Sequence, residues 1–158
     1  DAVATPRPTA TPASAPVKTS APSTGDDYTT PSSQVQEEIL LNLLNQERIA
    51  QGLSPLTLDA ELSRIARIKS ADMRDNHYFA HESPTYGHVS DMLKTFGYSF
   101  SGAGENIAHH ATTEKAHAAF MSSDGHRRNI LSSAWQNVGL GIVYDANGYV
   151  YVTQIFVR

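Results

Sequence analysis

The spacing of apolar residues divides the chain into helical and strand-like stretches from about residue 33 onward. Ile39, Leu40, Leu43 and Leu44 recur at helical spacing and stop at Gly52, with Ser33 and Gln36 forming a capping box ahead of them. They predict a first helix. After the turn Leu53-Ser54-Pro55-Leu56, a second helix is expected from near Thr57 or Asp59 to Asn76, burying Leu62, Ile65, Ala66 and Met73. Its other face carries Arg64, Arg67, Lys69 and Asp72, which the pattern assigns to solvent. A shorter third helix is expected near Val89 to Phe96 with Gly97 as its stop. A fourth runs from Thr112 or Thr113 to about Met121, burying Ala116, Ala119 and Phe120. Between these two, Gly102, Ala103 and Gly104 mark a place where the backbone passes close to something. Near the C-terminus the period changes. Val138 to Tyr144 and Tyr149 to Val157 are β-rich runs joined by Asp145-Ala146-Asn147-Gly148, a hairpin signal because Asn-Gly accepts positive φ. Helices first and strands last predict an α+β domain with helices covering an antiparallel sheet.

Composition separates a different segment at the start. Six of the eight prolines (Pro6, Pro8, Pro12, Pro16, Pro22 and Pro31) fall in the first 31 residues, among Ala, Thr and Ser with almost no large apolar side chain. Such a stretch cannot bury enough surface to offset its ordering entropy. Residues 1–33 are therefore read as a disordered tether, partly polyproline-II, with the composition of O-glycosylated or wall-spanning stalks; a terminus without a role is the plainer alternative. Residues 34–158 are the size of one ordinary domain. The first residue is Asp1 rather than Met, as expected of a processed chain whose signal peptide has been removed. Tether and processing together point outside the cell or to the cell wall.

Charge and cysteine content narrow the function classes. A formal charge of -4 with mixed signs lacks the basic face that phosphate neutralisation needs, so no nucleic-acid partner is expected. No apolar run reaches the roughly 18 residues of a membrane span, so no transmembrane segment is expected either. With no cysteine there is no thiolate metal site, no Cys nucleophile and no disulfide. A monomer is expected.

Three polar islands stand in the apolar sequence, each beside a Gly or Pro: His81 in Phe79-Ala80-His81-Glu82-Ser83-Pro84, Glu105 in Gly104-Glu105-Asn106-Ile107, and His126 in Gly125-His126-Arg127-Arg128-Asn129-Ile130-Leu131. Widely separated residues of this chemistry are what a fold gathers into one site. The expected binding cleft is His81, Glu105 and His126, with Asn106, Ser83 and Ser123 around them.

These islands, together with Leu43-Leu44-Asn45-Gln46-Glu47-Arg48, Gly52-Leu53-Ser54-Pro55-Leu56 and the closing Tyr151-Val152-Thr153-Gln154-Ile155-Phe156, closely resemble the CAP superfamily of SCP-like extracellular domains, in its bacterial YkwD-type branch. The resemblance runs in order over residues 36 to 158 and implies an α-β-α sandwich in which two His and two acidic residues face a shared cleft. His81 matches the first histidine, Glu105 the acid of the Gly-Glu-Asn motif and His126 the second histidine. The fourth member, a glutamate in many eukaryotic relatives, is replaced by Ser123, with the adjacent Asp124 as the only substitute nearby.

Two imidazoles with a carboxylate suit zinc or another divalent cation, and the resemblance implies binding through His81 and His126. Without metal, Glu105 would orient His81 or His126 as an acid/base pair, and the same three residues are the catalytic candidates. The plainest alternative is a hydrogen-bonded loop junction. Catalysis has little else to support it: the chain has no Gly-x-Ser-x-Gly elbow, no His-Glu-x-x-His helix and no phosphate loop, although Ser83, Ser122 and Ser123 lie near the histidines in sequence. A second group, His109, His110, Glu114 and His117, contains one Glu-x-x-His spacing. It is read as a histidine-rich surface, with His109 and His110 in a loop before the fourth helix and His110 able to flank the cleft. His77 should end the second helix, and His88 should lie on a loop at the rim. Trp135 is expected as a core or hinge aromatic, Asn106 and Asn129 as loop pins, and Arg127 and Arg128 as solvated surface.

The resulting expectation is a secreted or wall-associated binding module. Its partner would be an envelope component, a lipid or a protein. The alternatives are a metal-assisted or serine hydrolase of peptide or ester bonds, and a lipid or sterol carrier.

Overall fold

The computed structural model describes residues 28–158; the expected tether lies almost wholly outside them. Among the described residues five helices and four strands follow in the order α1 (Pro31–Ala50), β1 (Thr57–Leu58), α2 (Ala60–Asp75), α3 (Val89–Thr95), β2 (Ala103–His110), α4 (Thr113–Ser122), α5 (Asp124–Ile130), β3 (Asn137–Tyr144) and β4 (Val150–Val157). Among the described residues no helix is long and apolar enough to cross a membrane.

The first helix starts earlier than the capping pattern predicts. Thr30, not Ser33, is its N-cap: the Thr30 hydroxyl accepts the Ser33 N–H at 3.0 Å, and Pro31 occupies the first turn, where its missing N–H costs nothing. Ser33 and Gln36 lie inside the helix. The second helix is capped by Asp59, whose carboxylate accepts the Leu62 N–H at 2.8 Å. Just before it, Thr57–Leu58 form a short strand that the sequence reading did not include, and it pairs parallel to β3.

The sheet order is β1-β3-β4-β2, antiparallel apart from the β1–β3 pair. The β3–β4 hairpin forms as expected. Asp145 closes it by accepting the N–H groups of Asn147 and Tyr149, with Gly148 at φ +83°. β2 was not foreseen as a strand, and His109 and His110 were expected in a loop. Gly, Glu, Asn and His give Ala103–His110 little intrinsic strand preference, and its extended form comes from eight register pairs with β4.

Helices cover both faces. On one, Leu40 and Leu44 of α1, Ala116 and Phe120 of α4 and Ile130 of α5 pack on Val138, Leu140, Ile142, Val152 and Phe156. On the other, Leu62, Ile65, Ala66 and Ile68 of α2 with Met92 and Leu93 of α3 pack on Ile155 and Val157. This is the α-β-α sandwich of an α+β fold. In β3 the alternation is between large residues and none at all: Gly139 and Gly141 face α2. A Cβ on Gly141 would stand 2.1 Å from the Arg67 backbone nitrogen, and one on Gly139 would stand 2.4 Å from the Leu62 carbonyl.

That close approach overturns the solvated face expected for α2. Arg67, Lys69 and Asp72 are all buried, because α2 is enclosed on more than one side. Arg67 forms a two-pronged pair with Glu37 of α1 at 2.9 and 3.1 Å, and Glu37 also accepts the Ile142 N–H at 3.1 Å. Arg64 is half-buried, pairing with exposed Glu61 and lying 5.5 Å over the Phe96 ring.

Candidate functional site

β2 is an outer strand of the sheet, and successive side chains on it point to opposite faces. Glu105 turns toward α2, and Asn106 toward α5. The loop after α2 carries His81 to Glu105, while α5 carries His126 over Asn106, so the site straddles the sheet edge.

On the α2 side, His81 Nδ1 lies 2.9 Å from Glu105 Oε1. The His81 side chain is 54% exposed and that of Glu105 only 3%, so the imidazole faces outward and the carboxylate supports it from below. The other oxygen, Oε2, is enclosed without a hydrogen-bond partner, and Lys69 Nζ stands 4.0 Å from it. Lys69 also donates to the His81 carbonyl at 2.7 Å and lies 5.4 Å from the centre of the Tyr78 ring. Burial lowers the Lys69 pKa, and Glu105 and Asp72 oppose that shift.

Asp72 fixes the loop that carries His81. Its carboxylate accepts the Tyr78 hydroxyl, the Ser83 hydroxyl at 2.6 Å and the Asn76 amide at 2.6 Å. Burial, then the Asp72 charge, raise the Tyr78 pKa, keeping the phenol protonated as a donor. Ser83 is fully engaged: besides donating to Asp72, its oxygen accepts the N–H groups of Thr85 and Tyr86 at 2.9 and 3.0 Å. It shapes the loop and is buried away from the open face of His81, which corrects its placement among cleft residues.

On the α5 side, His126 Nδ1 lies 2.9 Å from the Ser123 hydroxyl, so serine stands against the second imidazole. Asp124 does not substitute for the missing acid; it is exposed and pairs with Arg127 at 2.8 Å. Asn106, fully buried, donates to the His126 carbonyl at 3.1 Å and to Gln154 at 3.0 Å. Asn129 donates to Asn106 at 2.9 Å, and Trp135 donates its indole N–H to the Asn129 carbonyl at 2.9 Å. Both asparagines act as the pins expected of them. Gly104 passes against Trp135, where a Cβ would come within 3.0 Å, and this accounts for the small residues before Glu105.

Burial lowers the His126 pKa, and the neighbouring His81 lowers it further. Its imidazole therefore titrates below the ordinary value of about 6.5. With the folded value depressed, the unfolded chain binds more protons as pH drops, so this group's stability contribution is complete above about pH 6.5 and is lost as pH falls through the folded value. In a proton NMR titration, the His126 midpoint is expected below that of an unfolded histidine. A midpoint at or above it would contradict this placement.

Among the described residues His81 and His126 each hold their Nδ1 on a neighbour and leave Nε2 without a hydrogen bond, the arrangement in which a supporting acceptor fixes a ligating tautomer. Two nitrogens fit a divalent ion, but among the described residues no three metal-binding side chains converge, fewer than the usual three protein ligands of a catalytic zinc site.

The other histidines lie elsewhere. His117 is not surface: it is buried, and its Nε2 meets Glu47 of α1 at 2.9 Å, because the Ala116-His117-Phe120 stripe faces α1. Glu114 is exposed and apart from that pair. His109 and His110 belong to β2, not to a loop; His109 stacks on Tyr151 at 3.9 Å and meets Asp145 at 2.7 Å. His110 is five residues beyond Glu105, or about 17 Å along the strand, and does not flank the cleft. His77 follows α2 with φ +56°, and His88 caps the N-terminus of α3. Lys69, Asp72 and Tyr78 were missed as site residues. The available signal was the run Ala66-Arg67-Ile68-Lys69-Ser70-Ala71-Asp72-Met73, where charges sit among small and apolar residues with no clean polar stripe.

Residues 41–156 match the CAP family, described as the cysteine-rich secretory protein family, although this chain has no cysteine. The chain is 45% identical over 137 residues to YkwD of Bacillus subtilis, covering 86% of this chain and 49% of that protein. Among solved structures, an extracellular SCP-domain protein from Bacillus anthracis matches with 34% identity and a TM-score of 0.72, over 82% of this chain and 44% of that one. An outer surface protein of Borrelia burgdorferi shares the fold at 15% identity and a TM-score of 0.73, over 78% of this chain and 92% of that one. The chain thus spans about half the length of its Bacillus relatives, 49% and 44%. With the family match over residues 41–156 and 45% identity to YkwD across 86% of this chain, the chain belongs to the CAP family.

Proposed function

We propose that this domain is an extracellular binding module whose ligand is held at His81 and His126, with a divalent cation such as zinc between their free Nε2 atoms. One observation carries the reading: both imidazoles are anchored through Nδ1 and open at Nε2. A zinc ion bound there would offer open coordination positions to an oxygen donor such as a carboxylate or carbonyl. Glu105 holds the His81 tautomer, Ser123 orients His126, and Asn106 with Asn129 keeps the two halves in register. An extracellular setting is supported by the Bacillus anthracis relative, itself an extracellular protein, and attachment at the cell wall by the Pro/Thr/Ser-rich composition of residues 1–33. The partner is an envelope component exposing oxygen donors.

Calorimetric zinc titration of the whole chain tests this. One ion is expected to bind wild type, with binding lost in His81→Ala and in His126→Ala. Glu105→Gln, which removes the charge supporting His81, should weaken it roughly 10- to 100-fold. Absent binding, or binding that persists in both histidine variants, rejects the metal at this site. A second reading, a serine hydrolase, draws on the Ser123–His126 contact at 2.9 Å. It requires covalent labelling of Ser123 by a fluorophosphonate, and an unlabelled Ser123 removes it.

A further inference from the structure

Arg48, near the C-terminus of α1, is 2% exposed, yet among the described residues it takes part in no ion pair. A buried cation is ordinarily matched by an anion. Here its partners are carbonyls. Nε donates to Ser54 at 2.8 Å, and Nη1 donates to Ile130 at 2.8 Å and Ser132 at 2.7 Å. These bonds tie the turn after α1 to the end of α5, and Arg48 would need nothing more if it were only a staple.

Three of its five N–H groups are used in this way. Nη2 makes no hydrogen bond among the described residues, and it is not one of the three enclosed polar atoms left without a partner. The Nη2 atom therefore keeps a small accessible surface. Arg48 lines an open pocket of about 450 Å³ together with Leu53, Pro55, Ser133, Trp135 and Gln136. The carbonyls are dipoles and offset the guanidinium charge only in part. Burial depresses the Arg48 pKa, and no neighbouring carboxylate opposes it.

We propose that this pocket is a carboxylate-binding site, in which the Nη2 edge of Arg48 takes the anion while Leu53, Pro55 and Trp135 receive a small apolar substituent. A monocarboxylate fits better than phosphate because Arg48 is the only cation among the lining residues, and a dianion would be left half neutralised. The site lies outside the His81–Glu105–His126 edge and does not depend on a metal there. Its ligand is either a free small acid or the C-terminal carboxylate of a peptide; both present the same group.

Nitrogen-15 NMR titration of the whole chain with sodium acetate, with acetamide as the neutral isostere and sodium chloride as the salt control, tests this. Saturable millimolar shifts are expected at the Trp135 indole and at the amides of Gly52, Ser133 and Gln136, with none from acetamide. N-acetylalanine at least tenfold tighter than acetate assigns the site to peptide termini, and equal affinity assigns it to free acids. Because Arg48 variants could unfold, the second arm is Ser133→Glu, an exposed position whose new carboxylate should occupy the guanidinium edge and weaken acetate at least tenfold. Shifts that do not saturate, that acetamide or chloride reproduce, or that persist unchanged in Ser133→Glu overturn the proposal.

Discussion

Gly141→Ala is expected to destabilise the domain by at least about 3 kcal/mol, the upper end of typical overpacking costs, because the added methyl meets backbone rather than a side chain able to turn aside. The new Cβ would stand 2.1 Å from the Arg67 nitrogen and 2.2 Å from the Ala66 carbonyl carbon. Relief requires α2 to lift from β3, which would also loosen the Ser70 hydroxyl from the Gly141 carbonyl, now at 2.9 Å, and from Thr153 at 2.8 Å. Since α2 carries Lys69 and Asp72, the same displacement should disturb the loop that holds His81. Urea denaturation gives the size of the effect. Gly125→Ala is the contrast: no atom lies within 4 Å of its Cβ position, it is helical, and its φ is ordinary. It should be neutral or stabilising by up to about 1 kcal/mol. Equal effects at the two glycines would refute close packing at Gly141 as the cause.

The second large effect is expected at the Arg67–Glu37 pair. Arg67→Met should cost about 3–5 kcal/mol, because it leaves a buried carboxylate with only the Ile142 N–H as a strong donor. Burial already raises the Glu37 pKa against the pull of Arg67, so the pair does not fully repay its desolvation. Its folded pKa lies above the unfolded value, so the stabilising effect of protonation is complete below about pH 4.5 and is lost as pH rises through the folded value. The Arg67→Met penalty should therefore shrink toward low pH. Adding Glu37→Gln, which keeps an acceptor for Ile142, should recover most of the loss at neutral pH. A double variant no more stable than Arg67→Met would show that the cost comes from lost arginine packing instead.

Both effects arise where local pattern and final structure part. Ile39, Leu40, Leu43 and Leu44 announce α1 because a helix needs only its own spacing, and Gly52, Gly97 and Asn147-Gly148 announce their turns because positive φ is a property of single residues. β2 carries no such mark. Ala103–His110 is extended because β4 pairs with it from some fifty residues away, beyond any local window. The burial of Lys69 against Glu105 and of His117 against Glu47 is of the same kind: each partner is distant in sequence, so their polarity misled the reading of their helices.

The site divides in the same way. By itself the sequence pointed to His81, Glu105 and His126 together, since Glu105 and His126 each follow a glycine, His81 lies three residues before Pro84, and their order resembles one family. It also determined helices α1 to α4, the C-terminal hairpin and the absence of thiol chemistry. Only the tertiary structure decided which group does what. It buried Glu105 beneath an exposed His81, set Lys69 4.0 Å from Glu105, spent Ser83 on Asp72 and put Ser123 against His126. Spacing along a chain records which residues can share a helix face or a turn. The distance, burial and charge that assign roles are set by segments that meet only when the sheet and its two helical layers close on one another.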